Sequence, residues 1–272
     1  MTAALDSTAA DPGLFGPGSV SWTVHADVVM LVAGVRSLLL QALHPDALQG
    51  VLLNSTFRDD PWGRLVRTAD FVGTTTYNET DAVHRAAARV RGVHRRLGVD
   101  QPELLLWVHV CEVASFVEVA RDCGLRLTDA EVDAYYAEQV RAAELVGIDP
   151  AVVPSSRAEV QAYFAAMRPQ LHATPDARRI LRFVAVPPMP TWVSLVTPAR
   201  LAWSGIASLS FALLPAWARR MYVGPAGTLV GGPAARAHGR ALRATLLSVP
   251  PRLREGPHRK AARLRLGLPH VP

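Results

Sequence analysis

Residues 102–124 form a segment that is apolar on almost every face of a helix, with no internal glycine or proline between Pro102 and Gly124. A helix that is hydrophobic all round is buried, so other elements must surround it. No stretch of useful length alternates polar and apolar residues with a period of two, which is the pattern of a half-buried strand. We therefore predict an all-α fold, a single globular domain in which apolar helices are buried.

Further helices follow from periodicity and from boundary signals. His44-Pro45 ends one apolar run, Gly98 ends an arginine-rich amphipathic helix, and Thr128 with Glu131 has the spacing of a capping box. The predicted helices cover residues 24–43, 61–76, 81–97, 128–146, 156–167 and 177–186.

The net charge of +6 is concentrated near the C-terminus. Residues 236–265 carry nine basic residues against Glu255, so the rest of the chain is slightly acidic and a basic core wrapped around nucleic acid is excluded. We predict a flexible N-terminus at residues 1–20, a helical domain at residues 21–233 and a basic, arginine-rich tail at residues 234–272. We expect the domain to bind its cofactor without this tail.

Residues 192–217 are apolar, and their uncharged part is at the short limit of spanning length. We favour a core helix or hairpin that covers an apolar pocket. The second possibility is peripheral membrane contact through this segment and the basic tail, since arginines flank the segment. The third possibility is a helix that spans the membrane.

The two cysteines, Cys111 and Cys123, lie too far apart along one helix to form a disulfide, and the N-terminus has no basic or apolar signal region. These features predict a reducing, cytoplasmic location.

Three of the nine histidines are candidates for chemistry: His84, His94 and His109. His25 is set aside because its sequence neighbours offer no polar partner. His94 falls on the apolar stripe of the 81–97 helix, whereas His84 falls on its more polar, solvent-facing side. A histidine on such a stripe is either a core residue whose ring nitrogens are hydrogen-bonded or a ligand, and the residue spacing does not distinguish these two roles.

His109 and Glu112 lie one turn apart on the apolar 102–124 helix, on one face with Leu105 and Phe116. A buried carboxylate is costly unless it is paired, so the two side chains form a pair, or Glu112 meets an arginine, or they hold a metal or cofactor. Di-iron carboxylate bundles use Glu-x-x-His twice, whereas this chain has the reversed order once.

Arg64, Arg67 and Thr68 share a helical face that Phe71 and Thr75 continue. Two guanidinium groups and a hydroxyl beside an aromatic ring suit a bound carboxylate or propionate. The alternative is a solvated arginine face.

The strings QALHP, FRDDPWGRLVRT, VHRR and LLWVH occur in this order between residues 41 and 109. In this combination the chain resembles the MpaB-type and rubber-oxygenase catalytic domain family, to which the latex-clearing proteins belong. The similarity covers residues 22–223 and fades in the basic tail. Characterised rubber-cleaving members of this all-helical family bind heme b through a proximal histidine and use O2 to cleave olefinic bonds.

The resemblance implies that His94 is the proximal ligand of the heme iron. It also implies that Arg64 and Thr68 are polar residues near the heme, and that His84 and His109 are further family histidines. The predicted cofactor site therefore consists of His94, His84, His109, Arg64 and Phe71. The predicted catalytic residues are Arg67, Thr68 and Arg64.

Arg67 stands where rubber oxygenases can place a distal lysine, and Lys260 in the tail is the chain's one lysine. A guanidinium has no free lone pair for iron. We therefore predict an open or water-occupied distal site, at which Arg67 donates hydrogen bonds to bound oxygen or substrate.

Three hypotheses follow. The first is a heme b-dependent oxygenase or oxidase that acts with O2 on a small hydrophobic substrate, such as an isoprenoid, a lipid or an aromatic compound. The second is a non-heme iron enzyme that uses His109 and Glu112. The third is a non-catalytic carrier of heme or a hydrophobic ligand, or a membrane-associated protein.

Overall fold

The computed structural model of the protein describes residues 10–54, 60–189, 192 and 197–269. Within these ranges the regular secondary structure is helical, without a strand, which confirms the predicted all-α fold. The fourteen α-helices of the described residues are α1 Val20–His25, α2 Met30–Gln41, α3 Pro45–Asn54, α4 Pro61–Tyr77, α5 Thr80–Leu97, α6 Pro102–Asp122, α7 Asp129–Leu145, α8 Arg157–Met167, α9 Pro175–Ala185, α10 Ala199–Ala212, α11 Ala216–Val223, α12 Gly232–Leu247, α13 Pro251–Arg254 and α14 Pro257–Arg265.

Helix α6 lies in the centre of the core, as its apolar pattern predicts. Trp107, Cys111 and Ala114 on this helix are fully buried, and α2 packs along it with Leu39 and Leu40 buried as well. A buried indole N–H needs an acceptor, and Trp107 Nε1 donates to the carbonyl oxygen of Gln41 at 3.1 Å. This hydrogen bond ties the end of α2 to α6.

The predicted helix over residues 24–43 is two helices, α1 and α2, so that prediction was wrong at its start. Asp27 lies in the break between them, where its Oδ1 accepts a hydrogen bond from the backbone N–H of Val29 at 3.2 Å. Its other carboxylate oxygen pairs with Arg243 Nε at 2.8 Å. Local capping of this kind competes with a continuous helix, and the break turns α1 toward α4 and α7.

The predicted helix boundaries on either side of α6 are confirmed. Gly98 ends α5 with a left-handed backbone, φ 64°, which glycine adopts without a steric penalty. At the start of α7, Thr128 and Glu131 form the complete capping box, in which the backbone N–H of Thr128 donates to the Glu131 carboxylate at 2.7 Å.

The apolar segment at residues 192–217 contributes α10 and the start of α11, while residues 190, 191 and 193–196 lie outside the described residues. In the described chain no helix by itself has the length and apolar character needed to cross a membrane. The pair Ala199–Ala212 and Ala216–Thr228 meets that test jointly, with a bend of 112°. Leu201 is 79% exposed.

Residues 232–269 form three helices that pack on the rest of the domain, and the boundary predicted at residue 233 falls inside α12. On α12, Gly239 approaches α6 so closely that a Cβ would lie 2.5 Å from Cys123 Sγ. On α14, Ala262 is fully buried against Trp22 and Tyr77. The arginine-rich sequence of this region therefore belongs to amphipathic helices, whose apolar and small residues face the domain.

Part of the region predicted as a flexible N-terminus is packed as well. Leu14 and Phe15 are buried against Val83 of α5, and the Asp11 carboxylate accepts from the backbone N–H of Thr80 at 2.7 Å. Residues 1–9 lie outside the described residues.

Candidate functional site

Helix α5 presents His94 and His84 to different surroundings. Val83 and Ala87 on the apolar stripe are buried, and His94, farther along that stripe, is half-buried. His84 is exposed. The structure thus places His94 toward the domain and His84 toward solvent, so the two predicted cofactor residues do not share a face.

His94 has a buried ring nitrogen without a partner. No described residue forms a hydrogen bond with His94 Nδ1, although the atom is buried. Burial lowers the pKa of the imidazole, and the positive charge of Arg64 on α4 lowers it further, against an opposing effect of Asp100. A neutral imidazole with a free nitrogen is the form that binds a metal.

The predicted polar face of α4 divides into two parts. Arg64 and Phe71 are half-buried, and Arg64 is close enough to His94 for its charge to act on the imidazole. Thr68 is exposed, and its hydroxyl donates to the Arg64 carbonyl oxygen at 3.0 Å. Arg67 is also exposed and donates to the Asp60 carboxylate at 3.0 Å, at the start of the helix. The donation of hydrogen bonds by Arg67 to bound oxygen therefore stays a prediction, since its observed partner is Asp60.

His109 and Glu112 on α6 are both half-buried, yet they do not form the expected pair. Burial lowers the pKa of His109 to about 4 and raises the pKa of Glu112 to about 7. His109 Nε2 is buried without a hydrogen-bond partner among the described residues. No hydrogen bond or ion pair joins Glu112 to any other residue that the structure describes. A carboxyl group in such a setting is costly for stability and is typical of functional sites.

His25 is a residue that the sequence analysis missed. Its Nδ1 lies 2.7 Å from Thr76 Oγ1 on α4, and its Nε2 lies 3.0 Å from the Tyr135 hydroxyl on α7. The Thr76 hydroxyl donates its one hydrogen to the Val72 carbonyl oxygen at 2.7 Å, so it must accept from His25 Nδ1–H. His25 Nε2 is then the acceptor for Tyr135. Burial lowers the pKa of His25 to about 3, which agrees with a neutral ring.

Helix α4 packs against α5, and α1 contacts both α4 and α6, so these helices surround one region. At one end, Thr76 on α4 bonds to His25, whose ring packs edge-on against Phe116 on α6 with 5.2 Å between centroids. At the other end, Arg64 lies near His94, and residues 98–101 connect α5 directly to α6. His109 and Glu112 lie on the face of α6 that leads from this second end toward Phe116. We refer to this region between α4, α5 and α6 as the candidate site.

Metal ligands are sparse in the described part of the chain. Among residues 10–54, 60–189, 192 and 197–269, no group of three or more His, Cys, Asp or Glu side chains is arranged to hold a metal ion. A non-heme iron site commonly needs two histidines and a carboxylate, so the arrangement lends that hypothesis no support. A heme iron needs one protein ligand, because the porphyrin supplies four nitrogens.

The family of the chain follows from its match to a protein-family model. The model of the ER-bound oxygenase mpaB/B′ and rubber oxygenase catalytic domain matches residues 22–248. The chain belongs to this family. No curated protein and no solved structure matches the chain.

The family match confirms the resemblance seen in the sequence and extends it beyond residue 223 through α12. All residues of the candidate site lie inside the matched range, whereas α13 and α14 lie outside it. Membership in a family of oxygenase catalytic domains supports an oxidoreductase that uses O2.

Glu112 provides a test of the candidate site that does not depend on a cofactor. The pKa near 7 in the folded chain exceeds the ordinary 4.5, so the free energy of unfolding must fall as pH rises between these values. We expect Glu112→Gln to unfold at higher urea concentration than wild type at pH 8, with a gain of about 1–3 kcal/mol, and to match wild type near pH 4.5.

The matched control is Glu103→Gln, an exposed glutamate in the first turn of the same helix. This change should alter the unfolding free energy by less than about 0.5 kcal/mol at both pH values. A Glu112→Gln variant that is less stable than wild type at pH 8 would show that the carboxylate has a stabilising partner.

Proposed function

We propose that this protein is a heme b-dependent oxygenase or oxidase that uses O2 on a small hydrophobic substrate, and that His94 would hold the heme iron. The observation that carries the proposal is the buried, unpartnered Nδ1 of His94 on a neutral imidazole beside Arg64. Family membership supplies the oxygenase class.

The residues of the candidate site fit heme. One neutral imidazole satisfies the protein's share of iron ligation, and His94 offers it from a half-buried position on a stable helix. Heme also carries two propionates, and the positive charge of Arg64 next to His94 favours an acidic group there. Phe71, Leu105 and Phe116 give the surrounding faces apolar surface.

When bound, heme supplies the oxygen-activating redox chemistry. The protein's part is to hold His94 in its neutral form, to balance the acidic groups with Arg64 and to keep water away with apolar side chains. An apolar enclosure of this kind favours a hydrophobic substrate, for which isoprenoid, lipid and aromatic compounds are the classes we propose.

Glu112 and the His25 network have separate roles in this proposal. A carboxyl group with a pKa near 7 can hold or release a proton at Oε near neutral pH, which is the property of a general acid or base. The negative charge of Glu112 acts electrostatically on Tyr135, whose hydroxyl donates a hydrogen bond to His25 Nε2. The hydrogen bonds between Thr76, His25 and Tyr135 fix which atoms donate and which accept at the end of the site near Phe116.

The proposal is tested by the absorption spectrum of the purified protein, with a pyridine hemochrome assay and iron quantitation. We expect a Soret band and about one heme b per chain after expression with added heme. Iron without a Soret band would favour the non-heme hypothesis and His109 with Glu112. Neither iron nor heme under these conditions would overturn the proposal in favour of a non-catalytic carrier of a hydrophobic ligand.

Peripheral membrane contact and a cytoplasmic location also stay proposals. Trp192 is 67% exposed and Leu201 is 79% exposed, which supports contact of this surface with lipid. The basic region offers less free positive charge to a membrane than its sequence predicts, because Arg243 and Arg265 bond to the domain itself.

A further inference from the structure

A cavity lies on the opposite side of α6 from His109. Its volume is about 530 Å³, and Glu118 and Asp122 of α6 form one wall. Glu118 follows His109 by nine residues, about two and a half helical turns, so the two side chains leave α6 in opposite directions. The bend between α10 and α11, the end of α8 and the first turns of α12 complete the cavity.

The cavity has an excess of positive charge. Four arginines and two carboxylates line it: Arg36, Arg168, Arg219, Arg236, Glu118 and Asp122. Because Arg36 pairs with Glu118 at 2.5 Å, the remaining three arginines face a single carboxylate.

Two of these arginines, Arg36 and Arg219, are occupied by hydrogen bonds within the protein. Arg36 is 2% exposed and donates to the Leu213 carbonyl at 2.9 Å and to Ser115 Oγ at 2.8 Å, besides its pair with Glu118. Arg219 is buried and donates to the carbonyl oxygens of Gly227, Ala212 and Leu214.

Arg168 and Arg236 retain donors for a ligand. Neither forms a hydrogen bond or ion pair with a described residue. Burial raises the pKa of Asp122, and the nearby positive charge of Arg236 partly opposes that rise. Arg236 is half-buried on α12. Arg168 lies over the indole ring of Trp217, with its Cζ 5.5 Å from the ring centroid.

Aromatic rings line the same space. Trp217 and Phe164 both face the cavity, and their ring centroids are 5.9 Å apart. An aromatic wall beside guanidinium groups favours a flat apolar body that carries an acidic group. The volume is within the range of small-molecule sites.

A smaller cavity of about 140 Å³ shares Glu118 and Asp122 with the larger one. Tyr136 lines it and is 1% exposed, and its hydroxyl is buried without a hydrogen-bond partner among the described residues. This hydroxyl is a further donor on the same side of α6.

We propose that the larger cavity is a second binding site for an organic anion with a flat apolar body, and that Arg236 and Arg168 hold the acidic group while Trp217 and Phe164 contact the body. The site is separate from the candidate site and does not depend on the function proposed for it. It also gives the arginine-rich C-terminal region a specific role, because α12 supplies Arg236.

The test uses isothermal titration calorimetry of the full-length protein with 8-anilinonaphthalene-1-sulfonate, a flat aromatic sulfonate. We expect one molecule bound per chain and an affinity that Arg236→Gln lowers about tenfold, the loss of one charge-assisted hydrogen bond. Arg168→Gln should act in the same direction, and because Arg168 is exposed, its replacement is a second variant that keeps its fold. Neutral N-phenyl-1-naphthylamine should bind at least about tenfold more weakly.

Two controls separate this site from other effects. Arg240→Gln removes the same charge one turn farther along α12, outside the cavity lining, and should leave the affinity unchanged. Lys260→Gln, which removes a positive charge from the exposed side of α14, should also leave it unchanged. Equal binding by wild type, Arg236→Gln and Arg168→Gln would overturn the proposal, and so would equal binding of the neutral compound.

Discussion

Replacing His94 with alanine is expected to remove most of the bound heme, from about one per chain to a small fraction. The substitution deletes the proposed protein bond to iron and leaves a gap on the half-buried face of α5. Heme content by pyridine hemochrome assay, together with the position of the Soret band, measures the effect. The circular dichroism spectrum should stay helical, since α5 keeps its Gly98 cap and its buried Val83 and Ala87.

His84→Ala is the matched control, because His84 lies on the same helix but is exposed. Its heme content and spectrum should equal those of wild type. His109→Ala completes the set, since His109 also has a buried, unpartnered ring nitrogen. Retention of heme by His94→Ala and its loss by His109→Ala would assign the axial ligand to α6 instead of α5.

Removing residues 250–272 is expected to lower the melting temperature by about 5–10 °C and to weaken heme binding. The deletion takes away α13 and α14, although both lie outside the family match. Helix α14 covers Tyr77 and Trp22 with Ala262, and Arg265 donates to the Tyr77 carbonyl oxygen at 2.9 Å. Because Tyr77 ends α4, the loss of this cover should loosen the helix that carries Arg64. This expectation replaces the one drawn from the sequence, that the domain binds its cofactor without its tail.

Ala262→Asp tests the same contact without shortening the chain. A carboxylate at this fully buried position should reproduce most of the loss in melting temperature, because a buried unpaired charge is costly. Lys260→Gln, on the exposed side of α14, is its control and should melt with wild type. A truncated protein with unchanged melting temperature and heme content would show that α14 does not support α4.

Much of the fold could be predicted because helical periodicity is a local property. The pattern of residues 102–124 identified α6 as the buried helix, and the stripe of residues 83, 87, 90 and 94 identified the side of α5 that faces the domain. The capping box at Thr128 is local too, and it is present as predicted. The prediction of a continuous helix over 24–43 was wrong because the apolar pattern of the segment does not show the break at Asp27. The carboxylate of Asp27 also pairs with Arg243, more than two hundred residues away along the chain.

The candidate site divides in the same way. The position of His94 on an apolar face was visible in the sequence. The His25 network was not, because Thr76 and Tyr135 are 51 and 110 residues distant from His25. Arg67 and Arg64 look alike in sequence, but the N-terminal position of Asp60 draws Arg67 outward.

By itself, the sequence determined the helical class of this protein, the family of its catalytic domain and the face on which His94 lies. These properties depend on residue spacing within single segments, because the period of the hydrophobic residues indicates which face of a helix is buried. The tertiary structure decided what each buried face meets: the lone carboxyl of Glu112, the docking of α14 on α4 and the arginine-lined cavity behind α6. Such contacts join residues that are distant in the chain, and the packing of whole helices brings them together.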